Sequence, residues 1–367
     1  MNLPVRVFGK RGCVKASRGV FSSMGKSCLI VTGGKSAVLS GALDDVKEKL
    51  TEENVSWTVF DKIGPNPLIS ACYEAGCLAR AENCDFIVGI GGGSPLDGAK
   101  AAAVYAANPG IKGTDIYTVT ERNRALPLIL IGTTAGTGSE IGRVAVLTDD
   151  ATGRKKSISP DDCFARYAFA DPGYTESMPY AVTVSTALDA LSHALEGYFS
   201  VKCGDIPTLF AKRAVPMIYG ELKKMSESGA LPDSEGRDRL YYGSLYAGVT
   251  LSYCGTAFPH PLGYILTENC GVPHGQACAA FLPAFLDRAE RFEKEKLDSI
   301  LEVTGCTLAQ LKGVISSLTD VGKIKMTAEE IARHCSRWDA SVPKNFTFSP
   351  GSYTKEEAQK LITELFA

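Results

Sequence analysis

The first half of the 367-residue chain alternates short apolar segments with longer amphipathic ones, and this alternation constrains the fold more than any other feature. Four apolar segments have the length and composition of buried strands: residues 28–32, 56–61, 85–90 and 127–132. Helical patterns lie between them, at residues 36–50, 68–82 and 96–105. Strands that alternate with helices of this length predict a mostly parallel sheet covered on both faces.

The strand patterns stop near Tyr180, and long helical patterns follow. They cover residues 183–199, 207–224, 237–251 and 275–291, with three more before the C-terminus. The sequence therefore predicts an α/β N-terminal domain over residues 1–179 and an all-α C-terminal domain over residues 180–367. An active site is expected in the cleft between two such domains.

The composition is that of a folded soluble protein, because 45% of the residues are hydrophobic and 22% are charged. With a net charge of −2, no nucleic-acid partner is expected. The longest apolar run, residues 277–286, is too short to cross a bilayer, and the N-terminus lacks an apolar leader, so we expect a cytoplasmic protein without a membrane partner. The twelve cysteines form no C-x-x-C pair and predict reduced thiols; Cys278, in an apolar segment, is expected to act as a small hydrophobic residue.

An aspartate and three histidines are the strongest chemical signal in the sequence. Asp189 and His193 are four residues apart in a helical pattern, so their side chains project from the same face. His260 and His274 lie in apolar, turn-rich segments, where a buried imidazole needs a partner. Three imidazoles and one carboxylate suit Fe(II), Zn(II) or Ni(II) better than Mg²⁺ or Ca²⁺. The fourth histidine, His334, lies in a charged helical pattern and is expected to be solvated.

Two glycine-rich loops each follow a predicted strand. Glycine lets the backbone approach a ligand closely, and the amides at the start of a following helix bind anions. The first loop is therefore a candidate pyrophosphate site, and the second adds hydroxyls and amides at what would be the same sheet edge. The candidate cofactor-binding residues in these loops are Gly91, Gly92, Gly93, Ser94, Thr133, Thr134, Thr137 and Ser139. Neither a P-loop motif nor a G-x-G-x-x-G motif is present, so the sequence supports neither a P-loop ATPase nor an ordinary Rossmann dehydrogenase.

Four strings of sequence occur in order along the chain: GGGSPLDGAK, TTAGTGSE, ALDALSHALEGY and HPLGYILTENCGVPHG. With these strings, from about Phe8 to the 280s, the protein resembles the iron-containing (group III) alcohol dehydrogenases. The resemblance implies an N-terminal nicotinamide-cofactor domain, a C-terminal helical metal domain and the interconversion of alcohols with aldehydes or ketones. It also implies a homodimer.

The resemblance assigns roles to individual residues. It implies metal ligands at Asp189, His193, His260 and His274, phosphate contacts at Gly92, Gly93 and Ser94 with Asp97 in the same motif, and nucleotide contacts at Thr133, Thr134 and Thr137. Many family members carry another histidine four residues after the third ligand, where this chain has Tyr264. A proton relay must then use Tyr264, the cofactor ribose or water, so Tyr264 joins the four ligands as a candidate catalytic residue.

The end of the first predicted strand bears on the choice of nicotinamide cofactor. An acidic residue there commonly accepts the ribose 2′-hydroxyl and repels a 2′-phosphate, and NAD-using family members tend to carry an aspartate at this place. This chain has Gly33, Gly34, Lys35 and Ser36 instead, with no carboxylate before Asp44. The loop leaves room for a phosphate and supplies groups that bind it, which predicts NADPH over NADH. The alternative is a permissive glycine turn with a solvated lysine.

The expected function is metal-dependent hydride transfer between NAD(P)H and an aldehyde or ketone, with Fe(II) as the metal and Zn(II) or Ni(II) as alternatives. A dehydroquinate-synthase-like or glycerol-dehydrogenase-like activity is the runner-up within the superfamily. A polyanionic substrate of the dehydroquinate type would need lysines and arginines near the ligands, whereas the residues found there suit a small apolar aldehyde: Leu188, Leu191, Phe258, Pro259 and Leu262. A metal-storing or metal-sensing protein would leave both glycine loops unexplained.

Overall fold

The computed structural model describes residues 3–367 of the chain. Their contacts divide them into two compact units, one ending at Met178 and the other beginning at Pro179. Among the described residues, we find no helix with both the length and the apolar composition that crossing a membrane requires.

The N-terminal unit alternates strands and helices. Its strands are β1 (Arg6–Gly9), β2 (Ser27–Thr32), β3 (Ser56–Phe60), β4 (Phe86–Gly91), β5 (Leu128–Gly132), β6 (Ala145–Thr148), β7 (Lys155–Ile158) and β8 (Tyr167–Ala170). Its α-helices are α1 (Cys13–Ala16), α2 (Ser36–Leu39), α3 (Ala42–Glu52), α4 (Ile69–Ala81) and α5 (Gly93–Ala107). Short 3₁₀ helices cover Gly113–Tyr117, Asp161–Cys163 and Pro172–Thr175.

Six of the strands form one parallel sheet in the order β1-β8-β5-β4-β2-β3, and β6 and β7 form a separate antiparallel pair. The central strands β2, β4 and β5 are apolar and almost wholly buried. This is typical of strands that are covered on both faces of a parallel sheet. The predicted parallel sheet is therefore confirmed, with all four predicted strands in it. Strands β1 and β8 were not predicted, because four residues are too few to show a period.

The direction of the strand order reverses between β2 and β4. From β2 the chain passes to β3 on one side, and β4 then lies on the other side of β2 and leads to β5. In open α/β sheets, ligands bind outside the carboxyl ends of the strands at such a switch point. Gly33 follows β2, and Gly91 ends β4 and pairs in register with Gly132 of β5. All three predicted cofactor loops therefore leave neighbouring strands at the same edge of the sheet.

Two predicted helices of the N-terminal unit have different bounds in the structure. The helix predicted over residues 36–50 is two helices, α2 and α3, because Gly41 between them has a φ of +80°, which interrupts a helix. The helix predicted from residue 96 begins at Gly93, so part of the first glycine loop forms its first turn. The backbone amides of this loop therefore belong to the N-terminus of a 15-residue helix.

The C-terminal unit is helical throughout its described regular structure. Its α-helices are α6 (Tyr180–Phe199), α7 (Asp205–Ser228), α8 (Ser234–Cys254), α9 (Pro259–Cys270), α10 (His274–Ala279), α11 (Leu282–Phe292), α12 (Lys294–Thr304), α13 (Leu308–Leu318), α14 (Ala328–Cys335), α15 (Lys344–Phe348) and α16 (Lys355–Phe366), and a 3₁₀ helix covers Ser336–Trp338. Helix α6 packs against α7, α8 and α10 and is buried on every side from residue 187 to residue 199. A charged side chain on this part of α6 is therefore out of water and needs a partner.

His260 and His274 lie near the starts of helices, so the prediction of turn-rich segments is wrong in detail. Helix α9 begins with Pro259, and Pro261 also lies in its first turn, where proline removes no helical hydrogen bond. His274 is the first residue of α10, which follows a left-handed Gly271 at the end of α9. In the sequence alone, prolines at the start of a helix and glycines at its end cannot be distinguished from the prolines and glycines of turns. The helix predicted over residues 275–291 is likewise two helices, α10 and α11.

Candidate functional site

Helix α6 supplies two of the predicted metal ligands. Asp189 and His193 lie one turn apart on it, and the Asp189 Oδ1 atom is 3.7 Å from the His193 Nε2 atom. Both side chains are buried. Burying a carboxylate is expensive unless it is paired, so this arrangement indicates a site rather than ordinary packing.

Helices α9 and α10 bring the other two predicted ligands to the same carboxylate oxygen. The Nε2 atoms of His260 and His274 each lie 3.8 Å from Asp189 Oδ1. The His260 side chain is buried, whereas that of His274 is 28% exposed, so the centre is open to solvent beside His274. The structure thus brings together all four residues that the sequence spacing singled out.

Two glycines allow these helices to approach one another. A Cβ atom at Gly275 would lie 1.8 Å from the carbonyl oxygen of Ser185 on α6. A Cβ atom at Gly263 on α9 would lie 2.9 Å from both the backbone nitrogen and the sulfur of Cys278 on α10. A larger residue at either place would force α10 away from its neighbours and would separate the candidate ligands.

The donor atoms fit a divalent cation. Four ligand atoms about 2.1 Å from one ion in a tetrahedron would lie about 3.4 Å apart, and the three nitrogens here lie 3.7–3.8 Å from the aspartate oxygen. The His260 Nε2 atom is buried and has no hydrogen-bond partner among residues 3–367, which is the condition that a bound cation would relieve. Three imidazole nitrogens and one carboxylate oxygen suit Fe(II), Zn(II) or Ni(II).

Glu196 holds His260 in place. Its Oε1 atom accepts a hydrogen bond from His260 Nδ1 at 2.7 Å, and its Oε2 atom accepts one from the amide of Ala257 at 2.7 Å. A carboxylate on one imidazole nitrogen selects the tautomer whose other nitrogen is free to bind a metal. The sequence analysis missed Glu196, although its position seven residues after Asp189 on the ligand-bearing helix puts it on the same face.

We expect Glu196→Gln to weaken metal binding roughly 10- to 100-fold, the usual effect of losing such an outer partner of a ligand. The glutamine amide can donate to Nδ1 and so stabilise the tautomer that carries its proton on Nε2. Competition with a coloured chelator measures the affinity. Glu221→Gln is the matched control, because Glu221 is a buried glutamate of the same unit whose partners are Lys224 and Arg239. Equal affinities for the two variants would show that Glu196 does not orient a ligand.

Tyr264 lies one helical turn after His260 and stacks on His274. The ring centroids of Tyr264 and His274 are 5.5 Å apart, and the rings are inclined by 17°. Burial raises the pKa of Tyr264 to about 12, although the nearby His260 opposes the rise. The phenol therefore keeps its proton at neutral pH and can donate it in a hydrogen bond.

Cys278, predicted to act as a small hydrophobic residue, is fully buried and also lies among the candidate ligands. Its Sγ atom is 3.7 Å from Nδ1 and 3.8 Å from Nε2 of His274, one helical turn earlier. The potential ligand atoms of Cys278, Asp189, His260 and His274 all lie within 4.8 Å of one another. The sequence signal was the spacing of four residues from a predicted ligand. His334, predicted to be solvated, is half-buried on α14 and lies outside this group.

The loop after β2 has one glycine that packing requires and two exposed polar residues. A Cβ atom at Gly33 would lie 2.1 Å from the carbonyl oxygen of Ile63, so glycine is needed there whatever the cofactor. Gly34 has a φ of +47° and open space around it. Lys35 and Ser36 are exposed at the start of the four-residue helix α2. The groups proposed to bind a phosphate are therefore accessible at the switch point of the sheet.

The two other glycine loops lie in contact with each other. A Cβ atom at Gly92 would lie 3.1 Å from Thr134, and one at Gly93 would lie 2.6 Å from Thr137. The hydroxyl of Thr133 is buried and has no hydrogen-bond partner within the part of the chain that the structure describes. The structure thus brings the residues predicted after β4 next to those predicted after β5.

Ser94, Asp97 and Ser139 make hydrogen bonds within the N-terminal unit. The Ser94 hydroxyl accepts from the amide of Asn66 at 3.2 Å. The Asp97 carboxylate accepts from the Ser139 hydroxyl at 2.6 Å and from the amide of Val146 at 2.8 Å. Asp97 and Ser139 are therefore placed to hold the two glycine loops in position.

Lys100 completes this network and was missed in the sequence analysis. Its ammonium group is fully buried, donates to Ser139 Oγ at 2.6 Å and lies 3.5 Å from Asp97. Burial raises the pKa of Asp97 and lowers the pKa of Lys100, and the attraction between the two charges opposes both shifts. The signal was available, because this lysine ends the string GGGSPLDGAK, three residues after Asp97.

Comparison with known proteins identifies the family. Residues 4–172 match the family described as iron-containing alcohol dehydrogenase, and residues 183–335 match the Fe-containing alcohol dehydrogenase family, C-terminal. Long-chain-alcohol dehydrogenase 1 of Geobacillus thermodenitrificans is 32% identical over 88% of this chain and 79% of its own length. The chain belongs to the iron-containing alcohol dehydrogenase family. It is a metal-dependent oxidoreductase that interconverts alcohols with aldehydes or ketones, using a nicotinamide cofactor.

Solved structures agree with this assignment. An iron-containing alcohol dehydrogenase from Thermotoga maritima superimposes with a TM-score of 0.90 at 33% identity, covering 100% of this chain and 98% of that one. A sulfoacetaldehyde reductase from Bifidobacterium kashiwanohense, solved in complex with NAD⁺, gives a TM-score of 0.83 at 27% identity over 99% and 97% of the two chains. The resemblance found in the sequence strings is confirmed, and so is the alcohol dehydrogenase function expected from it.

Proposed function

We propose that Asp189, His193, His260 and His274 hold the catalytic metal of this alcohol dehydrogenase, with Fe(II) as the native ion and Zn(II) or Ni(II) able to replace it. The observation that carries the proposal is the convergence of three imidazole nitrogens on one aspartate oxygen at 3.7–3.8 Å. When bound there, the ion supplies a Lewis acid that polarises the carbonyl oxygen of an aldehyde.

The side chains around the ligands would position the substrate and manage its proton. Leu188, Leu191, Phe258 and Leu262 are buried apolar residues near the ligands in sequence, which would favour an apolar aldehyde and exclude water. Tyr264 stacks on the more exposed ligand His274, and its phenol stays protonated at neutral pH. We propose that Tyr264 delivers the proton that the product oxygen needs, directly or through water or the cofactor ribose.

Reconstitution tests the proposed function. The protein would be stripped of metal, loaded separately with Fe(II), Zn(II) or Ni(II), and assayed with a panel of aldehydes by following the nicotinamide absorbance band. We expect activity that depends on the metal and is greatest with Fe(II). A rate that is unchanged by removing the metal would contradict the assignment of this centre.

The N-terminal unit is proposed to bind the nicotinamide cofactor, in a domain covering residues 1–179, and residues 180–367 are proposed to form the catalytic metal domain. The amides of Gly91 to Ser94 lie at or beside the start of α5, where the helix dipole favours a pyrophosphate. The hydroxyls of the neighbouring loop would contact the nucleotide through Thr133, Thr134 and Thr137. Asp97 and Ser139 would support both loops from inside the unit.

NADP(H) is the cofactor that we propose over NAD(H). The accessible loop at Gly34, Lys35 and Ser36 carries no carboxylate to repel a 2′-phosphate and has one cation to attract it. The sulfoacetaldehyde reductase was solved with NAD⁺, so the opposite preference is the natural alternative. Charge-assisted contacts between this loop and a 2′-phosphate would contribute ~1.5–3 kcal/mol to binding. This free energy corresponds to a preference for NADP(H) on the order of 10- to 100-fold.

Gly34→Asp is therefore expected to reverse most of the preference, measured as the ratio of kcat/KM with NADPH to kcat/KM with NADH. Aspartate tolerates the positive φ of this position, and the space around it is open. Lys35→Ala should lower the ratio about tenfold. Lys26→Ala is the matched control, because Lys26 is exposed just before the opposite end of the same strand. A wild-type preference for NADH, or a ratio unmoved in both loop variants, would contradict the proposal.

We also propose a homodimer, on the strength of the family resemblance, and a cytoplasmic location. All twelve cysteines have free thiols, which fits a reducing compartment. Sedimentation of the purified protein would measure the oligomeric state.

A further inference from the structure

We propose that Cys203 and Cys254 form a peroxide-reactive thiol pair, in which Cys203 is oxidised first and Cys254 then closes a reversible disulfide with it. Both residues belong to the C-terminal unit, and both lie outside the group of candidate metal ligands. The basis is geometric, because the two thiols are in hydrogen-bond contact with each other. The inference goes beyond the proposed hydride transfer and does not need the metal.

Two segments that are distant in sequence bring these cysteines together. Cys203 lies in the turn between α6 and α7, and Cys254 is the last residue of α8. Ser200 connects them, because its carbonyl oxygen accepts from the Cys203 amide at 2.9 Å and its hydroxyl donates to the Cys254 carbonyl oxygen at 2.8 Å. Ser200 is fully buried, so water does not compete for these bonds. Backbone contacts therefore hold the two thiols near each other, in addition to their own hydrogen bond.

The two thiols differ in their access to solvent. Cys203 is half-buried, whereas Cys254 is fully buried. A peroxide can therefore reach Cys203 first, and Cys254 meets only the oxidised Cys203. Cys203 lies outside the helices, so its turn, rather than α8, would move when the contact between the sulfurs becomes a bond.

The surroundings of Cys203 favour the thiolate, which is the reactive form of cysteine. The hydrogen bond from Cys254 lowers the pKa of the Cys203 thiol to about 6, against the effect of burial. The Thr208 hydroxyl, 3.4 Å from the Cys203 sulfur, and the ammonium group of Lys296 on α12 also lower this pKa. The same hydrogen bond raises the pKa of Cys254, which therefore keeps its proton. A low-pKa, accessible thiol beside a second thiol is the usual arrangement of a redox-sensitive cysteine.

The oxidation is balanced with a peroxide as the oxidant. The Cys203 thiolate attacks one oxygen of hydrogen peroxide, the O–O bond breaks, and a sulfenic acid and hydroxide form. The Cys254 sulfur then attacks the Cys203 sulfur, the S–O bond breaks, and the departing hydroxyl takes the Cys254 proton as water. Together the two thiols lose two electrons and two protons, which reduce the peroxide to water.

The second thiol makes the oxidation reversible. A sulfenic acid beside a thiol condenses to a disulfide, which reductants cleave, whereas a sulfenic acid without such a neighbour proceeds to the irreversible sulfinic acid. Cys254 would therefore protect Cys203 from permanent oxidation.

Peptide mapping of peroxide-treated protein tests the proposal. The protein is loaded with Zn(II) in place of iron, because zinc has no redox chemistry of its own. We expect a disulfide-linked pair of peptides that contain Cys203 and Cys254, and dithiothreitol should separate them.

Cys270 is the internal control for reactivity, because it is exposed but partial burial of its thiol raises its pKa. At pH 7, Cys203 should react with peroxide at least about threefold faster than Cys270. Its larger thiolate fraction outweighs the lower nucleophilicity of a less basic thiolate. Slower oxidation of Cys203 than of Cys270 would show that exposure alone sets the rates and would overturn the proposal.

Cys254→Ser tests the second step, because it nearly preserves the volume of the buried side chain and removes the sulfur that closes the disulfide. In this variant the Cys203 sulfenic acid should persist long enough for dimedone to label it, and dithiothreitol should no longer restore the thiol after prolonged oxidation. Cys335→Ser is the matched control, because Cys335 is also fully buried and is the last residue of a helix, α14, in the same unit. It should form the disulfide as the wild-type protein does.

The wild-type protein decides the matter without any variant. Oxidation of Cys203 without a disulfide to Cys254 would overturn the role of Cys254, and a Cys203 that stays reduced under peroxide would overturn the whole inference. Neither result depends on enzymatic activity, so failure of the proposed metal centre would be seen separately.

Discussion

His274→Ala is expected to remove most of the bound metal and nearly all of the aldehyde reductase activity. Loss of a direct ligand should weaken metal binding by more than the roughly 10- to 100-fold that loss of an outer partner costs. His274 is the best of the four candidate ligands to replace, because its side chain is 28% exposed and its removal leaves no closed cavity in the core. Metal analysis after dialysis and the rate of nicotinamide oxidation measure the two effects.

His334→Ala is the control for this variant, because His334 lies on α14 outside the group of candidate ligands. It should retain the metal content and the rate of the wild-type protein. Circular dichroism should show the same helical content for both variants. Full occupancy and an unchanged rate for His274→Ala would rule out His274 as a ligand.

Gly92→Val is expected to abolish cofactor binding while leaving the metal in place. A Cβ atom at this position already lies 3.1 Å from Thr134, so the branched side chain must push the two loops apart and occupy the space proposed for the pyrophosphate. Losing charge-assisted hydrogen bonds worth ~1.5–3 kcal/mol each should raise the dissociation constant of NADPH about 100-fold or more. Calorimetric titration measures it.

The metal content of Gly92→Val distinguishes loss of cofactor binding from misfolding. The candidate ligands belong to the other compact unit, so a folded variant should keep its metal. Gly110→Val is the matched control, because it also replaces a glycine of the N-terminal unit with valine. A Cβ atom added at Gly110 would have no neighbour within 4 Å. It should bind NADPH normally. Normal affinity in Gly92→Val would mean that the loop is only a tight turn.

The sequence alone was sufficient for features that depend on spacing along the chain. The parallel sheet followed from apolar segments alternating with helical ones, and the four candidate ligands followed from a four-residue helical spacing and two histidines in apolar surroundings. These signals are local, because a period of 2 or 3.6 residues is a property of the backbone itself. The family resemblance followed from short strings of sequence in a fixed order, which also requires no knowledge of packing.

Tertiary structure decided which residues meet across long stretches of chain. Glu196 contacts His260 from 64 residues away, and Lys100 contacts Ser139 from 39 residues away. Local spacing can single out Glu196 and Lys100, but it does not predict which distant residue each of them meets. Gly33 was predicted to make room for a phosphate, but a carbonyl oxygen 2.1 Å from its would-be Cβ makes it a packing requirement. In the sequence Cys278 resembles a small apolar residue, whereas in the fold it lies among the candidate metal ligands. Close packing of α6, α9 and α10 brings Glu196, His260 and Cys278 together, and no local sequence pattern specifies that packing.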